Sequence, residues 1–170
     1  MDTDLERRFA EILRENENRI FNMVYWQIGN YEDARDLTQD IFLAVYRHLP
    51  KFRGEARVST WIYRIAQNRI RRYLRKHRFR KLLIPLETLL GQGNPGPTQD
   101  PPTLPPEYQA LHHHLQQLPE EYRTVLVLFY FENLSLREIA EVLHVAEGTV
   151  KSRLSRARRL LRHRLKGVIS

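Results

Sequence analysis

The chain contains no cysteine, which removes disulfides, cysteine-ligated zinc and any thiol switch of its own from consideration. It also lacks a long apolar run. The longest, Val125–Phe131, has seven residues, against the roughly 20 that a membrane-spanning helix needs. The acidic start MDTDLE is the opposite of a positively charged signal-peptide n-region, so a cytoplasmic protein is expected. Acidic residues are missing where basic ones are dense. Sixteen of the 28 Lys and Arg lie in Arg69–Lys81 and Lys151–Lys166, and neither stretch holds an Asp or Glu. Residues 1–50 carry ten acids against six bases, although the whole chain has a net charge of +8. Two basic surfaces and one acidic surface imply a polyanionic partner and a second partner of another kind.

Several chemical readings fail on their context. Gly91-Gln92-Gly93-Asn94-Pro95-Gly96 satisfies G-x-G-x-x-G, yet Pro97, Pro101 and Pro102 forbid the helix that a nucleotide fingerprint needs next. His112-His113-His114 are neighbours about 100° apart on a helix and cannot converge on one ion. The Asn133-Leu134-Ser135 sequon is empty in a chain that never meets the secretory pathway. No nucleophile, base and orienting group occur together recognisably along the sequence. No enzyme activity, metal or cofactor is therefore expected.

Seven of the nine prolines and three of the seven glycines fall between Pro85 and Pro106, a composition that cannot bury a core. The expected organisation is an N-terminal module at 1–81, a linker at 82–106 and a C-terminal module at 107–170. As a coil, such a linker spans about 26 Å, and about 68 Å if fully polyproline-like. In the first module Leu5–Gly29 reads as one or two helices, with ENEN at 15–18 as a possible interruption. Glu32–Leu49 is a helix with Ala34, Leu37, Ile41 and Val45 along one face, and Pro50 ends it. Lys51–Ser59 reads as a loop, and Thr60 opens a long helix to about Arg80. In the second module Pro119 suits a helix start, with Glu120 and Glu121 at its positive end. VLVLFYF at 125–131 fits a helix buried on most sides or a buried strand, and its helical flanks favour the former.

From Leu118 to Leu165 the pattern is helical throughout and ends in a helix-turn-helix. Ser135 with Glu138 three residues on is the S-x-x-E capping box, so a short helix opens at Leu136. His144-Val145-Ala146 then breaks the run before Glu147-Gly148-Thr149 starts the next helix. There Val150, Leu154, Ala157, Leu161 and Leu165 share one stripe, while Ser152, Ser155, Arg156 and Arg159 point away from it. A merely solvated helix would mix charge signs, whereas Thr149–Ser170 holds eight Lys or Arg and no acid. DNA contact follows from that one-sided charge together with the turn.

Residues 118–165, with EGTVKSRLSRARRLL as the most recognisable run, resemble the promoter-reading C-terminal domain of the extracytoplasmic-function (group IV) bacterial RNA polymerase sigma factors. Asp36–Lys76, DLTQDIFLAVYRHLPKFRGEARVSTWIYRIAQNRIRRYLRK, resembles region two of the same family. Two matching motifs in the right order are far more specific than a helix-turn-helix alone. The resemblance implies an all-α fold of two small helical domains joined by a Pro/Gly-rich linker. It also implies an alternative sigma factor that binds core RNA polymerase through its clamp helices and flap. Such a protein recognises the minus-thirty-five and minus-ten promoter elements, promotes DNA melting and leaves after initiation, and an anti-sigma factor is expected to control it.

By the same resemblance, Asp36, Leu37, Gln39, Asp40 and Leu43 dock on polymerase. Asp33, Asp36 and Asp40 form a self-repelling acidic edge that a basic partner would relieve. Phe52, Arg53, Ser59, Thr60 and Trp61 match the segment that opens the minus-ten element. Around them an aromatic wall can stack a base, Asn68 can pair with a base edge, and Arg64, Arg71, Arg72 and Arg75 can neutralise the strand. Trp61, beside Ile62 and Ile65, also fits a core position, which leaves Phe52 and Asn68 as the stronger base contacts. Thr149, Lys151, Ser152, Arg153, Ser155, Arg156 and Arg159 match positions at the minus-thirty-five element, with Lys151 and Arg153 flanking the reading face. Two departures touch the turn. His144 stands where glycine is common, and Ala146 lacks a capping side chain. A stand-alone helix-turn-helix regulator would account for the second module only, and a general packaging protein would not need a reading helix.

Overall fold

The computed structural model describes residues 3–83 and 104–169 and is all-helical over them. The Gly-x-Gly motif and most of the expected linker lie outside the described residues. Helix α1 runs Thr3–Ile28 without interruption. The expected break at ENEN is absent because Glu15 and Glu17 face solvent and the Asn16 amide donates to the Ile12 carbonyl at 2.8 Å, so none of the four competes with the core. Toward its end Ile20, Met23, Val24 and Gln27 recur at helical spacing and are almost fully buried.

Gly29 and Asn30 then reverse the chain. Gly29 has φ +83°, the left-handed conformation that ends a helix at little cost only for glycine. A Cβ there would also come within 2.8 Å of the Gln116 side chain. Asn30 is extended, and its side-chain oxygen accepts from the Asp33 N–H at 2.9 Å, which starts helix α2, Tyr31–His48. Ala34, Leu37, Ile41, Phe42 and Val45 of α2 face α1 and are buried. Each large side chain so buried contributes about 1.5–3 kcal/mol before entropy is charged against it. Pro50 sits in a single 3-10 turn, Leu49–Lys51, and helix α3 follows at Val58–Leu83.

The second module comprises α4, Pro106–Gln116, and α5, Glu120–Leu126, followed by α6, Leu136–Leu143, and α7, Glu147–Ile169. Pro119 caps α5 from just outside rather than occupying its first turn. Val127–Phe131 continues α5 as a π-helical turn, closed by Glu132 N–H donating to the Val127 carbonyl at 3.2 Å. Seven consecutive apolar residues cannot all lie on one face of a regular helix. The wide turn lets Val127 and Leu128 both point inward and still swings Glu132 to the interior. Asn133, at φ 54°, ends it.

The Ser135–Glu138 capping box forms in both directions: the Glu138 N–H donates to Ser135 Oγ at 3.1 Å, and the Ser135 N–H to the Glu138 carboxylate at 2.7 Å. Those donors hold the Glu138 carboxyl below the ordinary carboxylate range. His144 closes α6 in the left-handed conformation, φ 54°, ψ 45°, the strained turn position that glycine commonly fills. With Ala146 in place of a capping side chain, its backbone carbonyl alone accepts from Thr149 and Val150 at the start of α7.

The two modules share one continuous apolar core, from Ile20 and Ile41 through Ile62 and Leu115 to Leu128, Val150 and Ala157. Helix α6 packs along α3, while α4 and the π turn pack on α1. No helix among the described residues is long and apolar enough to cross a membrane.

Candidate nucleic-acid interface

Helix α2 turns a mixed face outward. Asp36, Gln39, Asp40 and Leu43 follow i, i+3, i+4, i+7 spacing and all are exposed, Leu43 by 53%. An exposed leucine on an acidic edge is a poor solvated surface and a good helix-docking one. Leu37, expected on this face, is instead a core residue at 8% exposure, because it lies on the Ala34–Ile41 stripe. Asp33 also leaves the acidic edge: the Tyr73 hydroxyl donates to its carboxylate, tying α2 to α3. Burial and that bond push the Tyr73 phenol well above its usual range, so it stays a donor.

Between α2 and α3 the chain makes a small open pocket. The Phe52 N–H donates to the Leu49 carbonyl at 3.1 Å, and Gly54 turns the loop at φ 77°. Phe52 and Trp61 stack with centroids 4.6 Å apart and planes 29° from parallel. They line a concavity of about 310 Å³ with Lys51, Arg53 and Arg64 at its rim. Both rings are half-buried, so Trp61 packs on the core and lines the concavity as well.

Trp61, Ile65, Asn68, Arg72 and Arg75 lie along one line of α3, since steps of four, seven, eleven and fourteen residues return within about 40° of the start. Asn68, Arg72 and Arg75 are exposed on it, next to the aromatic pair. Arg53 is exposed and Ser59 half-buried, whereas Thr60 is buried at 5% and cannot meet a ligand directly. Arg64 and Arg71 sit about a quarter turn around, toward the second module. Arg64 Nε donates to the Glu141 carbonyl at 3.2 Å, and Arg71 lines the cleft between α3 and the α6–α7 turn.

On α7, Val150, Leu154 and Ala157 are buried at 3% or less, while Lys151, Ser152, Ser155, Arg156 and Arg159 are exposed and Thr149 is half-buried. Arg153 turns inward, with Nε 3.8 Å from Glu121, and does not join that face. Arg158 is also engaged: its Nε donates to the Tyr130 hydroxyl at 2.6 Å, and its guanidinium lies 5.4 Å from the Phe129 ring centroid. The triple histidine disperses as helical geometry requires. His112 stacks on Tyr25 at 4.6 Å, and burial lowers its pKa, while His113 meets Gln117.

The residues that sequence reasoning did not single out form a polar seam between the modules. The Tyr63 hydroxyl donates to Glu132 at 2.6 Å, and Arg19 approaches the same carboxylate at 3.3 Å. Gln27 and Gln67, both of the first module, exchange amide hydrogen bonds at 2.8 and 3.2 Å, and the Thr124 hydroxyl of the second module donates across to the Gln27 oxygen at 3.1 Å. All but Arg19 are buried. Burial raises the Glu132 carboxyl above its ordinary value, against the opposing pull of Tyr63 and Arg19. One sequence signal was available: each glutamine is a polar residue at the phase of an apolar stripe.

Comparison with known proteins gives one answer. Residues 12–80 match the model of sigma-70 region 2, and residues 104–161 match that of sigma-70 region 4. The chain thus has the make-up of a sigma-70-type protein. It is 32% identical over 166 residues to the ECF RNA polymerase sigma factor SigW of Bacillus subtilis, covering 93% of this chain and 89% of that one. It is 33% identical over 161 residues to the RNA polymerase sigma-H factor of Pseudomonas aeruginosa, covering 90% and 83%. The chain belongs to the ECF family of RNA polymerase sigma factors. In fold it also matches the sigma factor RpoE of Bartonella quintana, solved in complex with the anti-sigma factor NepR, with a TM-score of 0.74, 23% identity and coverage of 94% and 98%.

Proposed function

We propose that this sigma factor docks on core RNA polymerase through the Asp36–Gln39–Asp40–Leu43 face. On this reading it reads a minus-thirty-five element with Ser152, Ser155, Arg156 and Arg159, and opens a minus-ten element at the Phe52–Trp61 pocket. The observation that carries the reading is the arrangement on α3. Trp61, an exposed asparagine and two arginines fall on one line, with Phe52 of the preceding loop stacked on Trp61, beside a separate, acid-edged docking helix. A flipped base needs an aromatic face to stack on and a side chain that can pair with its edge, while the strand it leaves needs cations. Phe52, Asn68, Arg72 and Arg75 supply these three in order. Lys151 flanks the recognition helix as a phosphate contact. After initiation the protein leaves polymerase, and an anti-sigma factor withholds it between uses. The two modules act as domains, 1–81 and 107–170, with the intervening segment as their tether.

The test is strand opening itself. Permanganate should react with minus-ten thymines only when core polymerase and this chain are both present, and Phe52→Ala or Asn68→Ala should reduce that reactivity severalfold. Wild-type reactivity in both variants would move the pocket elsewhere.

A further inference from the structure

A cleft of about 750 Å³ opens between α1, the start of α4 and the π turn. Arg19, Asn22 and Trp26 line it from α1, Tyr108 from α4, and Phe131 and Glu132 from the end of the π turn. None of the residues proposed for polymerase or DNA takes part in it. Its volume is that of small-molecule sites, which run from about 300 to 1,000 Å³.

The cleft is built around an incompletely paired anion. The Glu132 side chain is only 4% exposed, and a carboxylate so far from water is stable when its oxygens are paired. Both of its partners use the same oxygen: the Tyr63 hydroxyl donates to Oε2 at 2.6 Å, and Arg19 Nε lies 3.3 Å from that same Oε2. Oε1 has neither, and Glu132 lines the cleft. Burial still raises the carboxyl above its ordinary range against the pull of both partners. Arg19 is itself 53% exposed and approaches through Nε, not as the two-pronged fork that a fully engaged guanidinium makes.

The walls beside this anion are aromatic. Trp26 and Phe131 have ring centroids 4.6 Å apart with planes tilted by 31°, and Tyr108, 47% exposed, adds another ring. Aromatic faces attract cations, more strongly where water is excluded. An acceptor oxygen among such rings favours a positive ligand with N–H donors over a quaternary ammonium. A guanidinium suits both features, being planar, able to stack on rings and furnished with N–H pairs. Arg19 already brings that group to the carboxylate. An ion pair that served packing alone would be closed over by side chains, as protein interiors are, and not set beside an open space of this size.

We infer that this cleft binds a small organic cation of the guanidinium class, held by Glu132 Oε1 and the Trp26, Tyr108 and Phe131 rings, with Arg19 as the chain's own competitor for the carboxylate. Exposed Asn22 supplies a further acceptor.

Calorimetric titration of the full chain with butylguanidinium tests this, with neutral butylurea as a probe of the same shape. The guanidinium should bind at one site with a Kd of about 1 mM or tighter, and the urea at least about tenfold more weakly. The chain has two tryptophans, so in a Trp61→Phe background the fluorescence of Trp26 should change along the same curve. Glu132→Gln, nearly isosteric, should weaken the guanidinium at least about tenfold, and Tyr108→Ala should weaken it severalfold with the helical circular dichroism retained. Arg19→Gln is the decisive variant. Loss of a competitor should tighten the guanidinium severalfold, whereas loss of a merely structural ion pair would weaken the site or leave it as it was. Equal binding of the two probes, full affinity in Glu132→Gln, heat without a Trp26 response, or no gain in Arg19→Gln would each overturn the inference.

Discussion

Replacing Arg156 by alanine separates reading from gripping on the recognition helix. Arg156 lies two residues beyond the buried Leu154, about 200° around the helix, and is fully on the solvent side. No fold energy should be lost with it. If its guanidinium makes a paired contact with a guanine edge, the loss is about 1–3 kcal/mol on the preferred sequence, from about fivefold to above a hundredfold in affinity. The discrimination at one base position should fall by the same factor.

Arg158 provides the contrast, two residues further and turned back onto the Tyr130 hydroxyl and the Phe129 ring. Arg158→Ala should cost about 1–2 kcal/mol of folding stability through the lost bond and ring contact, with base preference unchanged. Binding of purified variants to a panel of single-base promoter duplexes at several salt concentrations, alongside urea melts, reads both quantities. Equal weakening of every sequence by Arg156→Ala, or relaxed base choice in Arg158→Ala instead, would put the reading face at a different angle on α7.

Other outcomes follow from the same geometry. Asp40→Lys reverses charge beside exposed Leu43 and should weaken core polymerase binding in a pull-down titration, while duplex minus-thirty-five binding persists; unchanged core affinity would remove Asp40 from the docking face. Arg162→Ala, on the exposed side of α7 near its end, should weaken all DNA sequences alike and flatten the salt slope by about one unit if it holds a phosphate. Glu138→Gln keeps a side chain that can close the capping box and removes only the carboxylate charge at the start of α6, so it should cost about 0.3–1 kcal/mol at neutral pH. Because the folded Glu138 carboxyl is held below its usual range, its contribution is present above the ordinary carboxylate pKa and is lost as pH falls through the folded value. The wild-type and Glu138→Gln melting curves should therefore converge in acid, and a constant gap would show that the charge is irrelevant to the cap.

Much of the architecture was legible because local chemistry and burial agree. The capping box, the Val150–Leu154–Ala157 stripe and the end of α2 at Pro50 each rest on a pattern a few residues long, and each appears where the pattern puts it. Helix α1 shows the limit of composition: ENEN looked like a break, but polar residues on an outer face cost a helix little. The π turn was not legible, since it arises from the need to bury both Val127 and Leu128 while bringing Glu132 inward. The face of α2 was half legible. Its acids and the Ala34–Leu37–Ile41–Val45 stripe were visible by spacing, and it was the family resemblance, not the periodicity, that put Leu37 on the docking face, whereas the diversion of Asp33 to Tyr73 depends on which neighbour arrives. Arg153 likewise matches a DNA-reading position, but Glu121 lies within reach. The seam between modules was hidden because no sequence pattern states which two stripes will meet.

Whether one chain directs polymerase to two separated elements is decided by selection of initiating templates. Core RNA polymerase, with and without the purified chain, is given a library of duplexes randomised upstream of a fixed transcript, and the initiating templates are sequenced. The expected result is initiation that depends on the chain, with two short motifs enriched about two helical turns apart. The upstream motif should lose its preference at one position with Arg156→Ala, and the downstream one should weaken with Asn68→Ala. Initiation that is indifferent to the chain, or enrichment of a single motif bound by the helix-turn-helix alone, would contradict two-element recognition.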